Sequence, residues 1–99
     1  MPKKIRVTIL DDHQTTVDGY HHRLDGSSRV EIAATIRYGD ELEETLKKHP
    51  TDVLLLDVGV TASAENSNPY PILHLIPALL QEYPDLAILV ISMHAERNL

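Results

Sequence analysis

The 99-residue sequence has no cysteine, which excludes disulfides and thiolate metal sites. It has no tryptophan or phenylalanine, and four tyrosines are its only aromatics. The core must therefore be aliphatic, built from Leu, Ile, Val and Ala. No apolar run is long enough to span a membrane. The N-terminal MPKKIRV carries two lysines but no apolar signal core behind them. These absences lead us to expect a soluble cytoplasmic domain with no membrane partner. Positive charge is also scarce: 9 Lys and Arg stand against 15 Asp and Glu, a net charge of −6. That balance argues against direct nucleic-acid binding, because phosphate backbones attract basic faces. The length suits one domain, residues 1–99, and leaves no room for two.

Against these absences stands a regular alternation of elements. Ile5 to Leu10 (IRVTIL) is β-rich and ends in Asp11-Asp12. Gln14 to Asp25 places Val17, Tyr20, His21 and Leu24 at helical spacing, with Gly26 as the stop. Val30 to Ile36 reads as a second strand. Asp40, with Glu43 three residues on, has the form of a capping box for a helix with a Leu42/Leu46 stripe, closed by His49-Pro50. Val53 to Asp57 is a third strand inside VLLLDVGV, an apolar run that reads as buried on both faces. The polar stretch Thr61 to Asn68 is a loop. Pro71 to Tyr83 is a third helix with Ile72, Leu73, Ile76, Leu79 and Leu80 as its apolar set; Pro77 inside it predicts a kink or a later start. Leu86 to Ser92 is a fourth strand, and Met93 to Leu99 begins a fourth helix. Strands alternating with helices imply a parallel sheet covered on both faces, with ligands outside the carboxyl ends of the strands.

One carboxylate ends an apolar strand and two end another, which is costly unless their charge is compensated. In a parallel sheet all strand C-termini share one edge. If strands one and three are neighbours, Asp11, Asp12 and Asp57 converge there, and Ser92 faces the same place. Carboxylates about 5 Å apart repel by roughly 3 kcal/mol per pair at an effective dielectric near 20. The cluster therefore needs a cation or protons. Oxygen-only ligands in a shallow site favour Mg²⁺ over Ca²⁺. A carboxylate beside Mg²⁺ is a nucleophile toward phosphorus, and the Ser92 hydroxyl can donate to a phosphoryl oxygen. The Gly59 backbone carbonyl can complete the coordination shell. Taken singly, each aspartate is equally at home as a turn or cap residue, and Asp12 or His13 can simply start the first helix.

The segments IRVTILDDH (Ile5 to His13), DVLLLDV (Asp52 to Val58) and LAILVISMH (Leu86 to His94) together resemble the receiver domain of two-component response regulators. LDDH and SMH are most similar to the subfamily whose receiver precedes a LuxR-type helix-turn-helix output domain. The resemblance implies a flavodoxin-like (CheY-like) doubly wound α/β sheet of order 2-1-3-4, with the fifth strand and last helix missing. It implies Asp57 as phosphoacceptor, and Mg²⁺ bound by Asp11, Asp12, Asp57 and the Gly59 carbonyl. Ser92 takes the switch-hydroxyl position. It further implies a partner histidine kinase, an output domain absent from this chain, and a role in transcription regulation. Such a receiver catalyses at most its own phosphorylation and dephosphorylation, and is not an enzyme in the usual sense.

The sequence also departs from that family. Met-Pro and a later Gly usually follow the acceptor; here Val60-Thr61 opens TASAENSNPY, a loop several residues longer. The lysine and aromatic of a fifth strand have no counterpart, since the only lysines are Lys3, Lys4, Lys47 and Lys48. The sequence is accordingly expected to be a domain incomplete at its C-terminus, with an open fourth-strand edge (Leu86 to Ser92) through which two copies pair. Two other readings stand beside the phosphoacceptor. One is a degenerate receiver that binds partners without phosphorylation. The other is an Mg²⁺-dependent phosphohydrolase, which would need a cap and a general acid not visible here. Among the six histidines, His94 is the candidate modulator of water access, two positions after Ser92. His21 and His22 point about 100° apart on a helix and cannot share an ion. The run Asp40 to Glu44 is a solvated helix start.

Overall fold

The computed structural model describes residues 3–66, 68 and 70–91. The order of elements is β1 (Ile5–Leu10), α1 (Gln14–Leu24), β2 (Val30–Ile36), a 3₁₀ turn (Gly39–Glu41), α2 (Leu42–Lys48), β3 (Val53–Asp57), α3 (Ile72–Glu82) and β4 (Ala87–Ile91). All strand pairs are parallel and the sheet order is β2-β1-β3-β4. This is the expected doubly wound order. Leu10 lies opposite both Ile36 and Leu56, and Asp57 opposite Ile91, so the strands end along one edge.

Period-2 alternation splits the apolar residues between two faces. Leu54 and Leu56 are fully buried under α2 and α3, together with Leu10, Ile36, Leu42, Leu46, Val60, Ile72, Leu79 and Leu86. Val7, Ile9 and Val17 form the second core beneath α1, with Val53, Leu55 and Tyr20 packed against it. β3 is thus fully buried on one face, while Val53 and Leu55 on the other are only half-buried. β4 is the outer strand of the described sheet, and its Leu89 and Val90 stay 55% and 45% exposed.

Several local expectations are corrected. The first turn of the second helical segment is 3₁₀, with α2 starting at Leu42; Glu41 Oε2 accepts from the Tyr38 N–H at 3.2 Å, so the reciprocal cap lies two residues before Asp40/Glu43. The reason is non-local. The Gly39 and Asp40 N–H groups donate to the carbonyls of Thr61 and Ala62, both at 2.9 Å, and are not free for an Asp40 cap. The third helix begins at Ile72 and continues through Pro77, so it has no late start. Pro77 and Leu73, four residues earlier, both face solvent, where water can satisfy the carbonyl deprived of its partner. Leu73 and Leu80 are exposed rather than core. The first helix ends one residue early, at Leu24, with Gly26 at φ +82° in the left-handed stop position. The fourth strand is described from Ala87 to Ile91; Ser92, His94 and the helix expected over Met93 to Leu99 lie outside the described residues.

The long loop after β3 is tied down rather than loose. Besides the pairing to Gly39 and Asp40, the Tyr70 N–H donates to Val60 O at 3.0 Å and Ala62 N–H to Asn68 O at 3.1 Å. The Tyr70 ring lies directly over Gly39, where a Cβ would overlap it. Burial first, then the charges of Glu43 and Asp40, raises the Tyr70 hydroxyl above its ordinary pKa. The loop is therefore led away from the strand ends toward the start of α2.

At the opposite edge, Asp52 accepts from the Arg6 backbone N–H at 2.8 Å and from its guanidinium at 3.2 Å. Buried Thr8 meets Thr51 through their hydroxyls at 2.6 Å, and the Thr51 hydroxyl also donates to His49 O. These bonds lock β3 against β1 in the register that sets the far edge.

Two outcomes follow from this packing. Leu56→Ala leaves a void in a fully buried site and should lower unfolding stability by about 2–5 kcal/mol in urea denaturation. The side-chain hydrogen bond from Arg6, and then its backbone one, hold the Asp52 carboxyl below its ordinary 3.8. A depressed carboxylate contributes stability that is present above the unfolded value and lost as pH falls through the lower folded one. Asp52→Asn should therefore melt at a lower temperature than the parent above pH 4, and the gap should close below it; a gap independent of pH would contradict the pairing.

Candidate functional site

β1 delivers Asp11 and Asp12 to the carboxyl edge of the sheet, and β3 delivers Asp57 beside them. The Asp11 N–H donates to Ile36 O at 3.0 Å, which extends the ladder one residue past β1 and fixes where its side chain starts. Asp11 and Asp57 are 3% and 2% exposed, whereas Asp12 is half-buried. The expected convergence of the three carboxylates is what the structure has. One oxygen from each, together with a His13 ring nitrogen, lies within 4.8 Å of the others.

His13 is the member of the group that sequence reasoning set at its border. It is the N-cap of α1 in extended conformation (φ −92°, ψ 103°), yet its side chain makes no cap bond. Instead its backbone N–H donates to Asp11 Oδ1 at 2.8 Å, and its Nδ1 lies 2.9 Å from the same oxygen. Nδ1 is also 3.2 Å from Asp12 Oδ1 and 3.2 Å from Asp57 Oδ2. The signal in the sequence is only adjacency to Asp11-Asp12; nothing in the spacing says that the ring turns back. The Asp11 hydrogen bond, with the charges of Asp12, Asp11 and Asp57 behind it, raises the His13 pKa above 6.5 against the opposing effect of burial.

Asp57 is held by its own turn: the Gly59 N–H donates to Oδ1 at 2.9 Å. Its other oxygen faces the cluster. A single Nδ1 hydrogen serves Asp11, so Asp57 Oδ2 and Asp12 Oδ1, both buried atoms, have no hydrogen-bond partner among the described residues. Two buried, unpaired carboxylate oxygens aimed at one point are expensive without a positive charge between them. The donor set thus fits a divalent cation held by oxygen ligands. Tyr20 stands nearby, its hydroxyl pKa raised by burial first and then by the Asp11 and Asp57 charges. Among the described residues no helix is long and apolar enough to cross a membrane.

No protein-family model matches the chain. The transcriptional regulatory protein DegU of Brevibacillus brevis is 30% identical over 101 residues, covering 96% of this chain. The chain spans 37% of that relative's length. Among solved structures, the non-phosphorylated receiver domain of the stress response regulator RcsB from Escherichia coli superposes with a TM-score of 0.76 at 22% identity, over 95% of this chain and 69% of that one. The isolated receiver of RcsB from Salmonella enterica serovar Typhimurium, in the presence of the phosphomimetic BeF3⁻, gives 0.75 at 22% identity, over 95% and 65%. At that identity the structural likeness speaks for the fold, and the sequence match runs along nearly the whole chain. With its strand order and the carboxylates at its edge, the chain has the fold of those receiver domains and is similar in sequence to the DegU regulator along nearly its whole length.

Proposed function

We propose that the chain is a phosphoacceptor signalling module in which Asp57 takes a phosphoryl group from the phosphohistidine of a partner kinase. A carboxylate oxygen of Asp57 attacks phosphorus as the P–N bond breaks, and the departing imidazole keeps the electron pair and takes up a proton. The observation that carries this reading is the state of Asp57: 2% exposed, fixed by Gly59 N–H through one oxygen, and unpaired at the other among the described residues. Mg²⁺ is the proposed ion, held by Asp11, Asp12, Asp57 and the Gly59 carbonyl. When bound, the ion neutralises charge on the transferring oxygens. Asp11 and Asp12 orient toward that place, and Gly59 N–H keeps the acceptor from rotating away.

Ser92 is proposed to donate its hydroxyl to the phosphoryl group, and His94 to influence water access to it. Both lie outside the described residues. In their favour, Ile91 is opposite Asp57 in register, and the Val58 N–H donates to Ile91 O at 3.3 Å, so Ser92 follows in sequence the β4 residue paired with the acceptor. The setting we propose is a cytoplasmic regulator whose LuxR-type output domain controls transcription. The module signals by a shift between two conformations rather than by turning over a substrate. The exposed Leu89 and Val90 on the outer strand support pairing of two copies through β4.

Incubation with acetyl phosphate and Mg²⁺ should label the chain stoichiometrically, and Asp57→Asn should abolish the label. Absence of label in the parent chain would indicate a degenerate receiver, and continuous turnover of phosphate esters a phosphohydrolase. In sedimentation, the chain should show a concentration-dependent dimer that Leu89→Lys weakens; a monomer at all concentrations would remove the β4 pairing.

A further inference from the structure

We propose that the groove between α2 and α3 docks an arginine-bearing segment of a partner protein. The aliphatic stem of each arginine lies on an apolar floor, and its guanidinium meets an acidic rim. This surface is separate from the carboxylates at the sheet edge and does not depend on their role.

The groove has a volume of about 270 Å³. Clefts that bury a whole drug-sized ligand run to about 300–1,000 Å³, so this one suits side chains entering from a segment that continues outside it. Leu42 of α2 and Leu75 and Leu79 of α3 supply the apolar lining. Asp40 on the 3₁₀ turn, Glu43 on α2 and Glu82 at the end of α3 line it as well, all three exposed. Among the described residues no basic side chain lines the groove, and no ion pair engages these three carboxylates.

Charge selects the occupant. Glu82 stands at the negative end of the α3 dipole, where a cation is favoured, and the last turn of α3 has no basic residue. At the Tyr70 hydroxyl the charges of Glu43 and Asp40 add to the burial that raises its pKa, so negative potential reaches into the groove. A second copy of this chain carries a net charge of −6 and would meet the rim with like charge, whereas a basic segment is attracted. An arginine satisfies floor and rim together, because its stem packs on apolar surface while its head stays with polar groups.

Part of the wall comes from the loop that departs from the resembled family. Tyr70 ends TASAENSNPY, its N–H donates to Val60 O at 3.0 Å, and its ring is seated on Gly39, where a Cβ would displace it. The ring is thus held in place before anything binds, which lowers the ordering cost of binding. A planar guanidinium pairs with carboxylates through a fork of donors and stacks on aromatic rings, so arginine is preferred to lysine here.

The test uses the 99-residue chain and a short fluorescein-labelled peptide of alternating arginine and glycine, read by fluorescence anisotropy. The peptide should bind saturably, and its lysine counterpart about threefold more weakly or worse. Glu43→Gln and Glu82→Gln should each weaken binding about threefold, while Glu31→Gln, the same charge change on β2 outside the groove, should leave it unchanged. Ala78 lines the groove at an exposed position of α3, so Ala78→Lys sets a cation of the chain's own there and should weaken binding about tenfold. Gln81→Lys adds the same charge to α3 outside the lining and should not. Circular dichroism confirms that the variants are folded. No binding by the parent chain would overturn the proposal, as would equal losses in the groove variants and their charge-matched controls, the mark of diffuse attraction to an acidic surface. A parent chain that ignores the peptide but loses its own dimer in Ala78→Lys would also overturn it and give the groove to a second copy.

Discussion

Everything in this domain depends on the parallel register that brings β1 and β3 to an end side by side. Leu10 opposite Leu56 places Asp11 and Asp57 at the same height on the sheet edge. Slipping that register by one residue would turn Leu54 and Leu56 out of the core and Asp57 away from Asp11 together. Core packing and the acidic site are therefore set by the same constraint. Hydrophobic burial of Leu10, Leu54 and Leu56 opposes the mutual repulsion of the carboxylates, so that the fold holds the charges in place for an ion to relieve.

The opposite edge works as the anchor. Asp52 with Arg6, and Thr8 with Thr51, fasten the start of β3 to β1. The polar bonds that lock the register lie at the far end from the site, and among the described residues one oxygen each of Asp12 and Asp57 stays unpaired where β1 and β3 finish. The proposed phosphoacceptor role needs this division, since a carboxylate fully satisfied by structural hydrogen bonds would have no reason to take an ion or a phosphoryl group.

Much of this was legible in the chain itself. β1, β2 and β3 have the bounds read from the sequence, because β-rich runs flanked by polar residues leave little choice. The parallel sheet and its shared carboxyl edge follow from β-α alternation; the strand order came with the family resemblance, and Asp11, Asp12 and Asp57 meet because β1 and β3 are neighbours, the condition their convergence required. What was not legible depended on distant partners. The start of α2 shifts because Thr61 and Ala62 occupy the N–H groups of Gly39 and Asp40. The long loop is seated by Tyr70 over Gly39, a contact that neither residue announces. Leu73 and Leu80 fit the helical stripe yet face solvent, since Ile72 and Leu79 define the buried line of α3. His13 looked like a helix-start residue; that its ring turns back onto three carboxylates depends on side-chain geometry, which spacing does not encode.

The most direct measurement is a crystal structure of the chain grown with a divalent cation. The account predicts one ion at the carboxyl edge touching oxygens from residues 11, 12 and 57 at once. Carboxylates found too far apart to share an ion, or turned to different faces of the sheet, would contradict it.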